Sequence, residues 1–179
     1  LWIEGEDFME VPSKGYRRLF PGNMARLRYG YVVKCIGCDK DETGKVVAVH
    51  CEYLPETKSG TPGADSVKVK GNLHWVSAAQ SCAAEIRLFE RLFKVPAPGN
   101  RREGDAPDLE RNFLDDLNPD SRQTITAQLE PSLRDAKPEE RFQFERHGYF
   151  VADRVDSRDG QPVFNRAVTL KDSWGKAGA

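Results

Sequence analysis

No apolar run in the 179 residues reaches the roughly 18 that a membrane-spanning helix needs, and no charged start leads into an apolar stretch of signal-peptide form. Neither a bilayer nor secretion is indicated, so the expectation is a cytoplasmic protein. Catalytic signatures are missing as well: there is no G-x-S-x-G elbow and no phosphate-binding glycine loop. The three histidines, His50, His74 and His147, fall in alternating stretches that read as strands. No catalytic residue is assigned. Cysteine is sparse, and its spacing decides little. Cys35 and Cys38 form one C-x-x-C pair, but Cys51 sits in the alternating run VVAVHCEY and Cys82 is isolated in SAAQSCAAE. A zinc ribbon wants its second pair in a tight knuckle, so no metal site is expected and the thiols read as free. Net charge is also nearly absent, with 27 Lys+Arg against 28 Asp+Glu. The chain opens at Leu1 rather than at a methionine, which reads as a piece of something longer.

What is present is a foldable, turn-rich composition: 39% hydrophobic, 31% charged, with 15 Gly and 11 Pro. That is enough apolar mass to bury a core, and it leans toward β structure. Stretches with period-two alternation recur at residues 26–36, 46–53, 67–76, 143–152 and 163–170. This is the pattern of strands with one buried face. The first two are joined by DKDETGK, a hairpin loop by composition, which predicts antiparallel pairing. Residues 85–93 fit either a strand or a short helix, and the following Pro96 and Pro98 favour the strand. Helix is scarce, with SAAQSCAAE its best candidate and residues 7–10 a weaker start. Residues 96–138 change character, being charged and proline-containing, and read as a solvated excursion. A boundary between two small β units is placed near Ala79.

The informative feature is where the charge lies. Between residues 11 and 38 stand Lys14, Arg17, Arg18, Arg26, Arg28 and Lys34, with no acidic residue in the interval. Tyr16, Phe20, Tyr29 and Tyr31 are interleaved with them, and guanidinium groups beside flat rings suit unstacked nucleotides. Read as one strand, residues 26–36 put Arg26 and Arg28 on the same face. Composition alone leaves a second reading open, in which the acidic residues of 103–120 answer these charges. The stretch FQFERHGYF, residues 142–150, adds a second constellation. Alternation sends Phe142, Phe144, Arg146, Gly148 and Phe150 to one side and Gln143, Glu145, His147 and Tyr149 to the other, unless a bulge near Gly148 intervenes. Gln and Arg carry fixed donor geometries that can read base edges. A plain sheet strand with an Arg-Glu pair on its rim fits the same letters.

In order and spacing, LWIEGEDF, KGYRRLFPGNMARLRYGYVVK, VKVKGNLHWVSAA, EIRLFERLF, FQFERHGYF and PVFNRAVTLKDSWGK resemble the C-terminal anticodon-binding region of bacterial glutaminyl-tRNA synthetases. The resemblance spans essentially the whole chain, and the related glutamyl-tRNA synthetases share the architecture. It implies an all-β fold of two small antiparallel barrels, similar to the barrel of a 5S-RNA-binding ribosomal protein, with few short helices. The implied domains are residues 1–79 as a proximal barrel lacking its first strands, 80–165 as a distal barrel, and 166–179 as a segment returning toward the first. The resemblance further implies that the anticodon loop of tRNA(Gln) is held across both barrels. Anticodon contacts would come from Arg17, Arg18, Arg26, Arg28, Gln143, Arg146 and Ser173, with Lys14 and Tyr16 on the RNA backbone. Arg17 stands where the family has Lys, Ser173 where it has Thr, and Gly15 where it often has a base-contacting Gln. The class I nucleotide-binding motifs have no counterpart in these residues. ATP and Mg2+, along with the ligase step, are therefore expected of a catalytic Rossmann domain of a parent chain, and the 179 residues alone are expected to be non-catalytic. The rival readings are a stand-alone barrel for ribosomal RNA, the anticodon-binding part of a glutamyl-tRNA synthetase, and a protein-docking module.

Overall fold

The structure is a computed structural model that describes residues 1–106 and 108–170. It is mainly β, with only short 3-10 turns for helix among the described residues, and divides into two compact units, Leu1–Gln80 and Ser81–Ala179.

In the first unit, β2 (Met24–Leu27), β3 (Val32–Lys40), β4 (Val46–Leu54) and β5 (Asn72–Leu73) form a sheet in the order β4-β3-β2-β5. The short β1 (Trp2–Ile3) pairs with β6 (Trp75–Val76). The predicted β3–β4 hairpin is present and antiparallel, from Val32 opposite Leu54 to Lys40 opposite Val46. Its loop is held by one carboxylate: Asp41 Oδ1 accepts the Thr43 hydroxyl at 2.6 Å and the backbone N–H groups of Thr43 and Lys45. These bonds hold the Asp41 carboxyl below its ordinary range, the Thr43 hydroxyl contributing most. Alternation along β2 and β3 turns Ala25, Leu27, Val33 and Cys35 inward onto Leu19 and Leu73.

In the second unit, β7 (Cys82–Phe89), β8 (Arg122–Leu129), β9 (Arg141–Phe144), β10 (Gly148–Ala152) and β11 (Val163–Val168) lie in the order β8-β7-β11-β10-β9. Cys82, Ala84 and Ile86 project from β7 into a core with Phe150, Ala152 and Phe164. Phe144 stacks on Phe150 at 4.3 Å between centroids and meets Phe164 edge-on at 5.3 Å.

Several expectations are corrected here. The segment SAAQSCAAE is not helical, because Cys82 begins β7 and its alternate residues fill a sheet core. Residues 26–36 are a hairpin rather than one strand: β2 ends at Leu27 and the chain reverses before Val32, closed by the Leu27 N–H to the Tyr31 carbonyl at 2.8 Å. Residues 143–152 likewise hold a turn between β9 and β10 rather than one continuous strand, and the irregularity expected near Gly148 is present as a register shift between Tyr149 and Phe150 in the β10–β11 pairing. Of residues 67–76, only two strand fragments of two residues each are strand. The excursion at 96–138 contains β8, an edge strand, and an ordered charged loop. Pairing is mixed, since β2–β5 and β7–β11 run parallel. Both pairs join strands far apart in sequence, as a parallel pairing with a long crossover requires. Among the described residues the strands form three sheets, an arrangement compatible with the two expected β domains.

Candidate nucleic-acid interface

The expected site residues of the first unit differ sharply in how they are held. Lys14 and Arg17 are exposed, and neither side chain makes a hydrogen bond or ion pair among the described residues. Arg18 is anchored. Its Nη1 lies 3.0 Å from Asp7 Oδ1, a fully buried carboxylate, and 3.2 Å from Glu6 Oε1. The Tyr16 hydroxyl donates to the Glu6 carbonyl at 2.9 Å, tying the same loop to the Gly5–Asp7 turn. One turn thus fixes Tyr16 and Arg18, leaving Arg17 between them pointing to solvent. Gly15 takes φ +87°, a left-handed conformation that the family's Gln would adopt only under strain, so a glycine here reshapes the loop as well as removing a side chain.

Arg26 and Arg28 do not share a face. Arg26 is half-buried near the end of β2, where Nη1 donates to the Thr57 carbonyl at 2.8 Å and Nη2 to the Ala64 carbonyl. Its guanidinium ties β2 to the loop after β4. Arg28 lies beyond the strand, in the turn, with its guanidinium carbon 5.1 Å from the centroid of the Tyr29 ring.

In the second unit, alternation works as expected for the ring-bearing face: Phe142 and Phe144 pack into the core and Gln143 points outward. The Gln143 amide makes no hydrogen bond among the described residues, and Tyr149 is its cross-strand neighbour. Arg146 does not point to the Phe face. It sits exposed in the β9–β10 turn at φ +71°. The turn is fixed by its neighbour Gly148 at φ +140°, where a Cβ would come within 2.3 Å of the Val168 carbonyl oxygen. Gln143 and Arg146 therefore occupy one strand end and its adjoining turn, three residues apart. Ser173 lies outside the described residues.

Much of the charge of the acidic loop is satisfied within the loop. Arg111 grips Asp105 with both Nε and Nη2, at 2.6 and 2.5 Å. Asp116, buried, accepts the Gly99 N–H at 3.0 Å and a bond from Arg102, which hold its carboxyl below the ordinary range. The Cys51 thiol faces Cys35 across the β3–β4 ladder, and burial pushes it up to about 11, so it is protonated at neutral pH. Sequence reasoning missed the carboxylates that hold Arg18 and the carbonyls that hold Arg26. Neither Glu6 and Asp7 nor Thr57 and Ala64 carries a local pattern that announces a distant partner.

The family described as tRNA synthetases class I (E and Q), anti-codon binding domain, matches this chain twice, over residues 1–54 and 72–153. Among curated relatives, the chain is 70% identical to the glutamine-tRNA ligase of Cupriavidus metallidurans, over 98% of this chain and 29% of that protein. It is 66% identical to the same-named protein of Ralstonia nicotianae and 58% identical to that of Bordetella pertussis, over 98% and 97% of this chain and 29% and 28% of those proteins. The chain thus spans less than a third of the length of the relatives it matches. With its two β units and these two matched regions, the chain belongs to the anticodon-binding domains of the class I tRNA synthetases for glutamate and glutamine.

Proposed function

We propose that the chain recognises the anticodon of tRNA(Gln) on behalf of a glutamine-tRNA ligase, both units serving as anticodon-binding modules. The observation that carries this reading is the outward pair on the second unit. Gln143 presents one acceptor and two donor hydrogens from a strand whose other face is locked by stacked phenylalanines, and Arg146 presents a planar fork of donors from a turn that only a glycine at 148 permits. Side chains that read base edges need this kind of fixed origin, because a hydrogen bond discriminates only when its donor cannot follow the wrong base. On the first unit, Lys14 and Arg17 supply mobile charge for phosphates, while Arg18 is held in place through the bonds of Nη1 to the Gly5–Asp7 turn. Arg26 acts behind the surface, holding the backbone from which the turn bearing Arg28 projects.

Glutamine activation with ATP and Mg2+ is assigned to a nucleotide-binding domain of the longer ligase, and no chemical step is assigned to these residues. The role implies a cytoplasmic location, where tRNA is charged for translation. The test is binding of anticodon-arm hairpins carrying the glutamine anticodon, the glutamate anticodon, or a scrambled triplet. Arg146→Ala is expected to weaken the glutamine hairpin by about 5- to 150-fold, the effect of about 1–3 kcal/mol per lost base contact, with little effect on the scrambled one. Equal losses for all three hairpins would overturn base readout by this pair.

A further inference from the structure

The most exposed aromatic ring of the first unit belongs to Tyr29, at 80% of its full exposure, and the first unit spends unusual bonding on keeping it there. Its backbone is left-handed at φ +58°, a conformation that is uncommon for a bulky side chain and that glycine or asparagine would adopt at lower cost. The turn around it is fastened on every side. The Arg28 N–H donates to the Leu73 carbonyl at 2.9 Å, and the Trp75 indole Nε1 donates to the Arg28 carbonyl at 2.9 Å. The Gly30 N–H donates to the Leu27 carbonyl at 2.7 Å, and the Gly30 carbonyl accepts from both the backbone N–H and the hydroxyl of Ser59. Arg28 adds a cation beside the ring. A strained residue held this firmly, with its apolar surface left in water, has no folding benefit to account for it.

We infer that Tyr29 is a stacking platform for one unpaired base of the bound RNA loop, with the Arg28 guanidinium beside it answering the base's phosphate or extending the flat surface. This inference rests on the anticodon-binding reading above and adds to it a contact of a different kind. A ring has no donor pattern to match against a base edge, so Tyr29 contributes affinity for any base at its position, whereas Gln143 and Arg146 contribute discrimination. The chemistry favours a nucleobase over a protein side chain because the ring stands in a stretch of 28 residues that holds six cations and no carboxylate. Such a field attracts a polyanion carrying flat groups.

The experiment measures binding of the full chain to a seven-nucleotide-loop RNA hairpin with the glutamine anticodon, and to versions carrying 2-aminopurine at each loop position in turn. Tyr29→Ala and Tyr29→Asn are the ring-removing variants, the second keeping a residue that tolerates the left-handed backbone. Both are expected to raise the dissociation constant by about 5- to 100-fold while leaving the melting curve in place. Tyr29→Phe is expected to stay within about twofold of the parent. One loop position should lose its fluorescence quenching in the ring-removing variants and keep it in Tyr29→Phe. Replacing the base at that position by any of the other three should change affinity little. Unchanged affinity in Tyr29→Asn overturns the stacking role, as does a Tyr29→Phe loss equal to that of Tyr29→Asn, which would assign the effect to the hydroxyl. If the parent chain fails to distinguish the glutamine hairpin from a scrambled one, the anticodon reading itself fails, and that outcome is separate from the behaviour of Tyr29.

Discussion

Arginines that look equivalent in the letters RRLFPGNMARLR divide by what their guanidinium groups touch. The Arg17 side chain makes no hydrogen bond or ion pair among the described residues, Arg18 shares its charge with a buried aspartate, and Arg26 is spent on backbone carbonyls. The distinction separates folding from binding. Removing Arg26 strips the Thr57 and Ala64 carbonyls of a charged donor in a half-buried site, and groups left in that state cost more than the net gain of making the bond. Arg26→Ala is expected to destabilise the first unit by about 1–3 kcal/mol, read as a lower urea midpoint in the tryptophan fluorescence transition. Arg17→Ala is expected to stay within about 0.5 kcal/mol of the parent in the same titration while weakening RNA binding. A reversed pattern would assign Arg26 to the interface and Arg17 to the fold. The residue scale is where the sequence was least legible: six cations could be counted, but which ones serve as scaffold depends on carbonyls 31 and 38 residues away.

At the level of strands, alternation placed the inward Phe142, Phe144 and Phe150 correctly and found the β3–β4 hairpin through its Asp, Thr and Gly signals. Two other reversals were invisible for a common reason. The turns after β2 and β9 put Tyr29 and Arg146 in left-handed backbone, so neither shows the Asn-Gly or Asp-Gly signature by which a hairpin is read. Strand β8 was missed because, as an edge strand, it buries little besides Leu129 and so lacks a two-faced pattern. The parallel β7–β11 junction is braced by charge that no local pattern reveals. Asp153 accepts the N–H groups of Asp156 and Val155 at 2.8 Å and the Asn165 amide at 2.6 Å, and pairs with Arg87 at 3.3 Å. These bonds, the Asp156 N–H foremost, bring its carboxyl down to about 2. Its folded value lies below its unfolded one, so the unfolded chain binds more protons between the two. The associated stability is fully present above about pH 4 and disappears as pH falls toward 2. The expected loss is about 1–2 kcal/mol, discounted because the side chain keeps some solvent contact. Asp153→Asn should be less stable than the parent at pH 7, and the gap should close in urea titrations run down to pH 2.5. A gap that stays constant with pH would remove the carboxylate from this account.

Across the whole molecule, near-neutrality conceals a strong asymmetry. The six cations of residues 11–38 leave 21 cations facing 28 acidic residues elsewhere, so the remainder of the chain repels phosphate. A chain of net charge -1 gains nothing from bulk attraction to RNA, and its electrostatic affinity has to arise at the basic stretch. Of those six, Lys14, Arg17 and Lys34 have no side-chain partner among the described residues, and Lys14 and Arg17 flank Tyr16 in one exposed loop, which makes that pair a natural site of counterion release. Each phosphate neutralised on a single-stranded loop contributes about 0.7 to the slope of log K against log salt. Replacing both residues by alanine should therefore flatten that slope by about 1.4, and it should do so equally for glutamine and scrambled hairpins, because phosphates carry no sequence. The measurement is a binding series from 50 to 200 mM salt with the parent, the double variant and Arg146→Ala. Arg146→Ala should lower affinity for the glutamine hairpin at every salt concentration. If the double variant keeps the parental slope, the phosphates are met elsewhere, and the segregation of charge in the first 38 residues serves some other purpose than holding RNA.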